Sequence, residues 1–305
     1  MRAIAIREYG PPEVLGLEEF PDPQPGPGEV RVRVRAAGVQ PVDCAVRQGW
    51  FRNGGPFQVH PPQILGNEFA GVIDQIGEGV EGFAPGDEVL GFRVLGSYAE
   101  MVVVSTAQIV AKPTTMSWEE AGAFSASAQT AHTALEELYV AAGETVLVHA
   151  AAGGVGTAAV QLARALGATV IGTASEANHE YISSLGATPV TYGPGLTGRV
   201  RALAPAGVDA ALDAAGRGAL EASVELIEDR SRIGTIIDFD VAGRLGVRAI
   251  RSQRSATRLA ALVDLFRQGE LRVHIRQAFP LHRAADAHRL VETGHGRGKV
   301  VLTMP

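Results

Sequence analysis

The chain has 305 residues, enough for two modest domains that each bury a core. Lysine and arginine number 27 against 33 aspartates and glutamates, a net charge of −6, and no long basic run offers a footprint for nucleic acid or an anionic membrane. Cys44 is the single cysteine, which excludes an intramolecular disulfide and all but excludes a cysteine-based zinc site.

From Met1 to about Lys112 the chain is punctuated by turns such as FPDPQPGPGEV, GNEFAG and IGEGVEGFAPGDEVLGF. "EVRVRVRAAGV" alternates apolar and charged residues with period two, the pattern of a half-buried antiparallel strand. Many short strands joined by frequent turns predict a compact, barrel-like all-β unit. After TMSWEEAGAF the period changes. The apolar runs TVLVHA, TVIGTA, DAALDA and RIGTIID alternate with helical stretches such as VGTAAVQLARAL and HEYISSLGA, which predicts a doubly wound α/β unit around a parallel sheet. Near Arg254 it shifts again: TRLAALVDLFRQGEL reads as an amphipathic helix, and RQAFPL and GKVVLTM as strands returning to the first unit. The N-terminus MRAIAIREYG lacks a signal-peptide core and no apolar run matches a bilayer, so a cytoplasmic location is expected.

The richest stretch is "HAAAGGVGTAAVQLARALGATVIGTAS", from residue 149 to 175. Thr145 to His149 forms a buried-strand pattern, and Val155, Ala159, Leu162 and Leu166 recur at helical spacing. Between them lies Ala151-x-Gly153-x-x-Gly156, enclosing Gly154 and Val155, a variant of the dinucleotide fingerprint with alanine first. Gly153 lets the backbone approach a pyrophosphate, Gly156 lets the helix pack close to the strand, and the N–H groups of the helix N-terminus hold the anion. An NAD site places Asp or Glu about twenty residues on, at the ribose 2′-hydroxyl. Gly172, Thr173, Ala174 and Ser175 stand there instead, which permits NADP(H), with Ser175, Asn178 and His179 as donors to a 2′-phosphate. Ser175 is also placed to cap the following helix, and His179 to be simply solvated. Asp213, Ala215 and Gly216 after DAALDA, and Ile237, Asp238 and Phe239 after RIGTI, fall at the carboxyl ends of parallel strands, where open α/β sheets bind ligands.

Taken in order, "AAGVQPVDCAVRQGWF", "LGNEFAGVIDQIGEGVEGFAPGDEVLGF", "GSYAEMVVV", "AGAFSASAQTAHTAL", the glycine turn and "GHGRGKVVLTM" resemble the medium-chain dehydrogenase/reductase superfamily, in its zinc-independent quinone oxidoreductase branch. The resemblance covers most of the chain. It implies a GroES-like catalytic domain over residues 1–117 that residues 256–305 rejoin, a Rossmann NADP(H)-binding domain over 118–255, a site in the cleft between them, and a homodimer. That dimer is expected to form through edge strands, with RIGTIID and GVRAIRS as the candidates.

Zinc-dependent relatives carry Cys where this chain has Gln40 and His where it has Asn67, and a four-cysteine lobe where only Arg93, Val94 and Leu95 precede Gly96. No metal is therefore expected, and His60, His132 and His149 are too scattered to rebuild a site. Without a Lewis acid, negative charge developing on a quinone or enone oxygen must be met by hydrogen bonds. The resemblance offers the Gln40 amide as the donor, with a structural amide as the alternative. Asp43 is expected to brace its loop. Ala45 stands where many relatives carry tyrosine, which leaves water or a cofactor hydroxyl to deliver the proton. The resemblance also assigns Thr130 to the nicotinamide, Tyr192 to the adenosine end, and Gly298 and Lys299 to a C-terminal cofactor contact, a surface charge being the other reading of Lys299. Trp50 and Phe51 suit a flat apolar substrate as a lip over the cleft, unless one of them simply packs inward. The reaction expected is NADPH-dependent hydride transfer to quinones, with an enoyl or alkenal reductase, or a largely non-catalytic NADPH binder, as alternatives.

Overall fold

The computed structural model of the protein describes residues 1–53 and 59–305. Three sheets organise it. A seven-stranded sheet runs in the order Ile275–Pro280, Lys299–Thr303, Glu29–Val39, Glu68–Ile76, Glu88–Phe92, Ile109–Ala111, with Met101–Ser105 pairing the free half of Glu29–Val39. Gly16–Glu19, Arg2–Ile6 and Gln63–Ile64 form a small sheet beside it. The last strand of the chain pairs antiparallel with residues 36–39, so the C-terminus returns to the N-terminal sheet.

The period-two strand behaves as its pattern dictates only in its first half. Val30, Val32 and Val34 are fully buried and Arg31, Arg33 and Arg35 face outward. From Ala36 onward both faces are covered, because the helix Trp118–Gly122 lies on the strand there. A Cβ on Gly122 would strike Ala36, so the covering helix needs glycine at that point.

The third sheet is wholly parallel, in the order Thr188–Thr191, Thr169–Ala174, Thr145–His149, Ala210–Asp213, Ile233–Thr235, Arg248–Ala249. Numbered along the chain this is 3-2-1-4-5-6, the doubly wound order, and its reversal point lies at the carboxyl end of Thr145–His149. Ile233–Thr235 is paired on both sides, so of the two expected edge strands only the GVRAIRS segment is an edge, and there as just Arg248–Ala249. The RIGTIID strand stops at Thr235 because Asp238 turns the chain into the helix Phe239–Leu245, accepting the Val241 N–H at 3.4 Å.

The helix Gly154–Ala165 buries Ala159 and Leu162 as its spacing predicts, but Leu166 closes the helix and is 48% exposed. One apolar core contains Ala70, Leu90 and Phe92 from the antiparallel sheet and Val146, Val148 and Leu212 from the parallel one, so the two sheets share their packing. The helix Ala256–Arg267 presses Leu259, Leu262 and Val263 into that same core. No helix among the described residues is long and apolar enough to cross a membrane.

Gly156 marks how closely helix and strand approach: a Cβ there would overlap the Ala150 carbonyl and the Ala151 backbone. Gly156→Ala is therefore expected to cost about 1–3 kcal/mol of stability. Urea denaturation checks this, and an unchanged midpoint would contradict the close approach.

Candidate active site

At the reversal point the chain leaves Thr145–His149 through Ala150, whose φ is +54°. Ala150 N–H donates to Thr173 Oγ1 at 3.1 Å and Ala151 N–H to Thr173 O at 3.0 Å, which ties the turn to the neighbouring strand. Gly153 then caps the helix Gly154–Ala165 with extended backbone and no side chain to satisfy the first N–H groups. Those groups point outward with the positive end of the helix dipole.

The three glycines differ in why they are glycine. Gly156 is thinned for the strand, and Gly154 for Ser127 Oγ and the Lys299 stem, which a Cβ would meet at 2.9 and 2.7 Å. At Gly153 a Cβ would meet only the Ala150 carbonyl, at 3.3 Å, so packing within the protein leaves space on its open side. Ser127 Oγ beside the turn is buried with no partner among the described residues.

The antiparallel sheet reaches the turn through Gly298, whose N–H donates to Ala152 O at 2.9 Å, and through Lys299. The Lys299 ammonium is no surface charge. It is buried and bonds Glu68 Oε1 at 2.9 Å. Glu68 is fully buried, accepts the Ala126 N–H at 2.6 Å through Oε2, and also accepts the Gln40 side-chain amide. Gln40 Nε2 is thus committed in part. One N–H goes to Glu68, which leaves the other N–H of the expected donor for a ligand.

Asp43 forms a second node. Its Oδ2 accepts the Gln40 backbone N–H at 2.9 Å and the Tyr98 hydroxyl at 2.8 Å, and its Oδ1 accepts Asn67 Nδ2 at 2.9 Å. It braces the loop, as expected. Burial pushes its carboxyl up to about 6, against the pull of those donors and of Lys299. Asn67 in turn accepts Arg254 Nη1 at its backbone carbonyl at 2.9 Å and at Oδ1 at 3.3 Å. Gln40, Asp43, Asn67 and Arg254 therefore form one hydrogen-bonded chain.

Thr130, on the helix Ser125–Glu137, donates its hydroxyl to Ala126 O at 2.6 Å and keeps its lone pairs free to accept. Ser175, Asn178, His179 and Tyr192 lie at the carboxyl ends of Thr169–Ala174 and Thr188–Thr191. Ser175 does not cap the next turn through its side chain: its Oγ accepts Asn178 Nδ2 at 3.2 Å instead. His179 Nε2 is 3.4 Å from Thr191 Oγ1, so it is tied to the strand end rather than simply solvated.

Asp213 differs from its expected role. Its carboxylate is fully buried and accepts the Ala215 N–H at 2.8 Å, the Gly216 N–H at 2.7 Å and the Thr235 hydroxyl at 2.8 Å, so it shapes its own loop and has no oxygen facing a ligand. Ile237, Phe239 and Tyr192 are exposed apolar groups on that same rim. Trp50 and Phe51 separate: Trp50 is 74% exposed, while Phe51 packs on the antiparallel-sheet core. The rest of their segment, residues 54–57, lies outside the described residues. His149 is packed, 2.9 Å from Ser223 Oγ, and burial lowers its pKa to about 4. His132 Nδ1 faces Arg258 Nη1 at 2.8 Å.

Glu68, Tyr98, Ser127 and Arg254 are site residues that the sequence pattern did not single out. The first two stand inside the quoted motifs GNE and GSY, whereas Arg254 has no local signal.

Residues 26–114 match the family model described as alcohol dehydrogenase GroES-like domain, and residues 185–302 the one described as zinc-binding dehydrogenase. The fold is similar to a structure titled NAD-dependent alcohol dehydrogenase (34% identity, TM-score 0.89, all of both chains). It is also similar to the Coxiella burnetii quinone oxidoreductase (32%, 0.86, 100% of this chain and 99% of that one). The Escherichia coli quinone oxidoreductase complexed with NADPH is 26% identical at TM-score 0.87, over 99% of this chain and 100% of that one. Among curated proteins the chain is 36% identical over 260 residues to the spectinabilin polyketide synthase system protein NorB of Streptomyces orinoci, which covers 80% of this chain and 12% of NorB. It spans 62% of the Danio rerio synaptic vesicle membrane protein VAT-1 homolog, at 30% identity. The chain belongs to the medium-chain dehydrogenase/reductase superfamily, a family of oxidoreductases, and its structural neighbours there include quinone oxidoreductases.

The buried carboxyl of Asp43 makes stability depend on pH. Its folded pKa of about 6 lies above the ordinary 3.8, so the folded protein holds this proton more tightly than the unfolded chain. The resulting stabilisation is complete below the ordinary value and is lost as pH rises through the folded one. Urea denaturation of wild type and Asp43→Asn is expected to show the wild-type advantage shrinking across that window. An advantage that grows with pH would contradict the assignment.

Proposed function

We propose that the protein is an NADP(H)-dependent, zinc-independent oxidoreductase that reduces quinones or related α,β-unsaturated carbonyl compounds. The observation that carries the cofactor reading is Gly153. It caps a helix at the reversal point of a doubly wound sheet, no protein atom crowds its open side, and the helix N–H groups around it lack side-chain partners. The NADPH-bound Escherichia coli neighbour supports the same reading.

In this reading the Gly153 N–H is already given to Ala150 O, the N–H groups of residues 154–156 hold the diphosphate, and Gly298 and Lys299 lie alongside. Ser175, Asn178 and His179 face the 2′-phosphate, Tyr192 flanks the adenosine, and Thr130 and Gln40 meet the nicotinamide. When bound, the reduced nicotinamide supplies a hydride. The shared core keeps water from the sheet junction, and Gln40, steadied by Glu68, presents its remaining N–H. Trp50 offers apolar surface to a flat acceptor, and Ile237 and Phe239, exposed at the carboxyl end of the parallel sheet, flank the cofactor. Residues 1–117 and 256–305 serve the acceptor and residues 118–255 the cofactor, and two copies associate across the edge at Arg248–Ala249. Zinc independence rests on donor chemistry: the Gln40 and Asn67 amides each turn an NH₂ group toward a carboxylate, where relatives use thiolate and imidazole.

Turnover of NADPH with a panel of quinones and enones tests the activity, and chelation is expected to leave it unchanged. Fluorescence change without turnover on any acceptor would favour a non-catalytic NADPH binder. Gly153→Val is expected to abolish NADPH binding, read by fluorescence, while thermal unfolding stays near wild type. Ser175→Asp sets a carboxylate beside the 2′-phosphate, and like charges in contact cost on the order of 1–4 kcal/mol at effective dielectrics of about 80 to 20. NADPH affinity should fall roughly tenfold or more, with NADH much less affected. Equal loss of both cofactors would overturn the selectivity assignment.

A further inference from the structure

Arg254 has no place in the reading above, yet its surroundings are unusual for a surface arginine. It belongs to the segment that leaves the parallel sheet after Arg248–Ala249, and that segment is held against the helix Ser125–Glu137. Gln129 Oε1 accepts the Ser255 N–H at 2.9 Å and Thr133 Oγ1 accepts the Gln253 N–H at 3.2 Å. From this anchor the arginine crosses to the antiparallel sheet. There its guanidinium lies 5.2 Å from the centre of the Phe92 ring and gives only Nη1 to Asn67. Among the described residues it has no salt bridge. Its Nε and Nη2 have no hydrogen-bond partner among the described residues, and neither is among the buried polar atoms there that lack one.

The carboxylates near it are already engaged. Glu68 is bonded to Lys299, Gln40 and Ala126 N, and Asp43 takes three donors. A guanidinium carries five N–H donors in a rigid fork and stays protonated even though burial lowers the Arg254 pKa. Here the fork is fixed by a stacked ring and an amide, and it is joined through Asn67 and Asp43 to Gln40. Asn67 itself stands where zinc-dependent relatives place a histidine.

We propose that Arg254 is a catalytic residue whose free guanidinium N–H groups bind the carbonyl oxygen of the acceptor and stabilise the negative charge that develops there, the task a metal performs in zinc-dependent relatives. The inference rests on the reductase reading above. In the step proposed, a hydride from the reduced nicotinamide forms a C–H bond at the acceptor's electrophilic carbon. The carbon–carbon π pair shifts and the carbonyl pair comes to rest on oxygen, facing Arg254. Water then supplies the proton that completes the neutral product. The acceptor gains two electrons, and the nicotinamide loses them.

An oxyanion probe tests this without turnover. 4-Nitrophenol is titrated by absorbance in the presence of wild type, Arg254→Lys and Arg254→Gln, with thermal unfolding and NADPH affinity measured on each. Wild type is expected to lower the pKa of the bound phenol by about 1 unit or more, as a nearby guanidinium does to an acid. Arg254→Lys should keep part of the shift and Arg254→Gln none. The kcat of Arg254→Gln should fall about 10²- to 10³-fold, as for loss of an oxyanion donor, with NADPH affinity unchanged. Because Gln can still donate to Asn67, a merely structural role for Arg254 leaves the probe unmoved by the substitution.

The proposal is overturned if wild type does not stabilise the phenolate, or if Arg254→Gln stabilises it equally. It is also overturned if NADPH affinity falls in step with kcat, which would put Arg254 in the cofactor subsite. Failure of NADPH to bind wild type, with the phenolate shift intact, would instead count against the reductase reading.

Discussion

A carboxylate with no exposed surface must be paired, and Glu68 is paired with three parts of the chain that lie far apart in sequence. Gln40 opens the helix Pro41–Gln48, Ala126 lies in the first turn of Ser125–Glu137, and Lys299 starts the last strand. Removing the Lys299 ammonium would leave a buried charge without its counter-ion, a loss typically costing about 3–5 kcal/mol. The pairing therefore fixes where the N-terminal loop, the junction helix and the C-terminal strand meet. It also places a side-chain amide and the Lys299 ammonium at the edge of the glycine turn.

The two sheets then come together at their chemically useful ends. The parallel sheet offers a helix N-terminus and exposed backbone at its reversal point. The antiparallel sheet reaches the same place through Gly298 and its bond to Ala152. Asp43 continues the connection on the other side of Gln40, gathering Tyr98 and Asn67, and Arg254 closes it from the parallel-sheet segment. Each sheet thus contributes polar groups that the other holds in place, and the common apolar core keeps water away from the network behind them.

How much of this the sequence disclosed follows from how local each signal is. The strand at 145–149, the helix that follows it and the parallel architecture were legible because a buried strand, a glycine turn and an apolar helical stripe lie within about twenty residues of one another. The return of GKVVLTM to the first sheet was legible from the family pattern. Leu166 keeps the helical spacing and still ends up exposed, because periodicity does not show where a helix ends. RIGTIID reads as an edge in the sequence because pairing order is a property of the whole sheet. Asp213 was read as facing a ligand because the sequence does not reveal the turn N–H groups that use up its carboxylate. Glu68 and Tyr98 went unremarked inside recognised motifs, since their partners are between 28 and 231 residues away. Arg254 carries no pattern at all, and only the crossing of its segment to Asn67 reveals it.

The central claim is that one dinucleotide spans this junction, and a crystal structure of the protein with NADPH bound tests it most directly. The account requires the diphosphate against the N–H groups of residues 154–156, the 2′-phosphate beside Ser175 and Asn178, and the nicotinamide ring in contact with Gln40 and Thr130, with the Glu68–Lys299 pair behind it. A dinucleotide lying elsewhere on the sheet, or with its nicotinamide end turned away from Gln40, would contradict it.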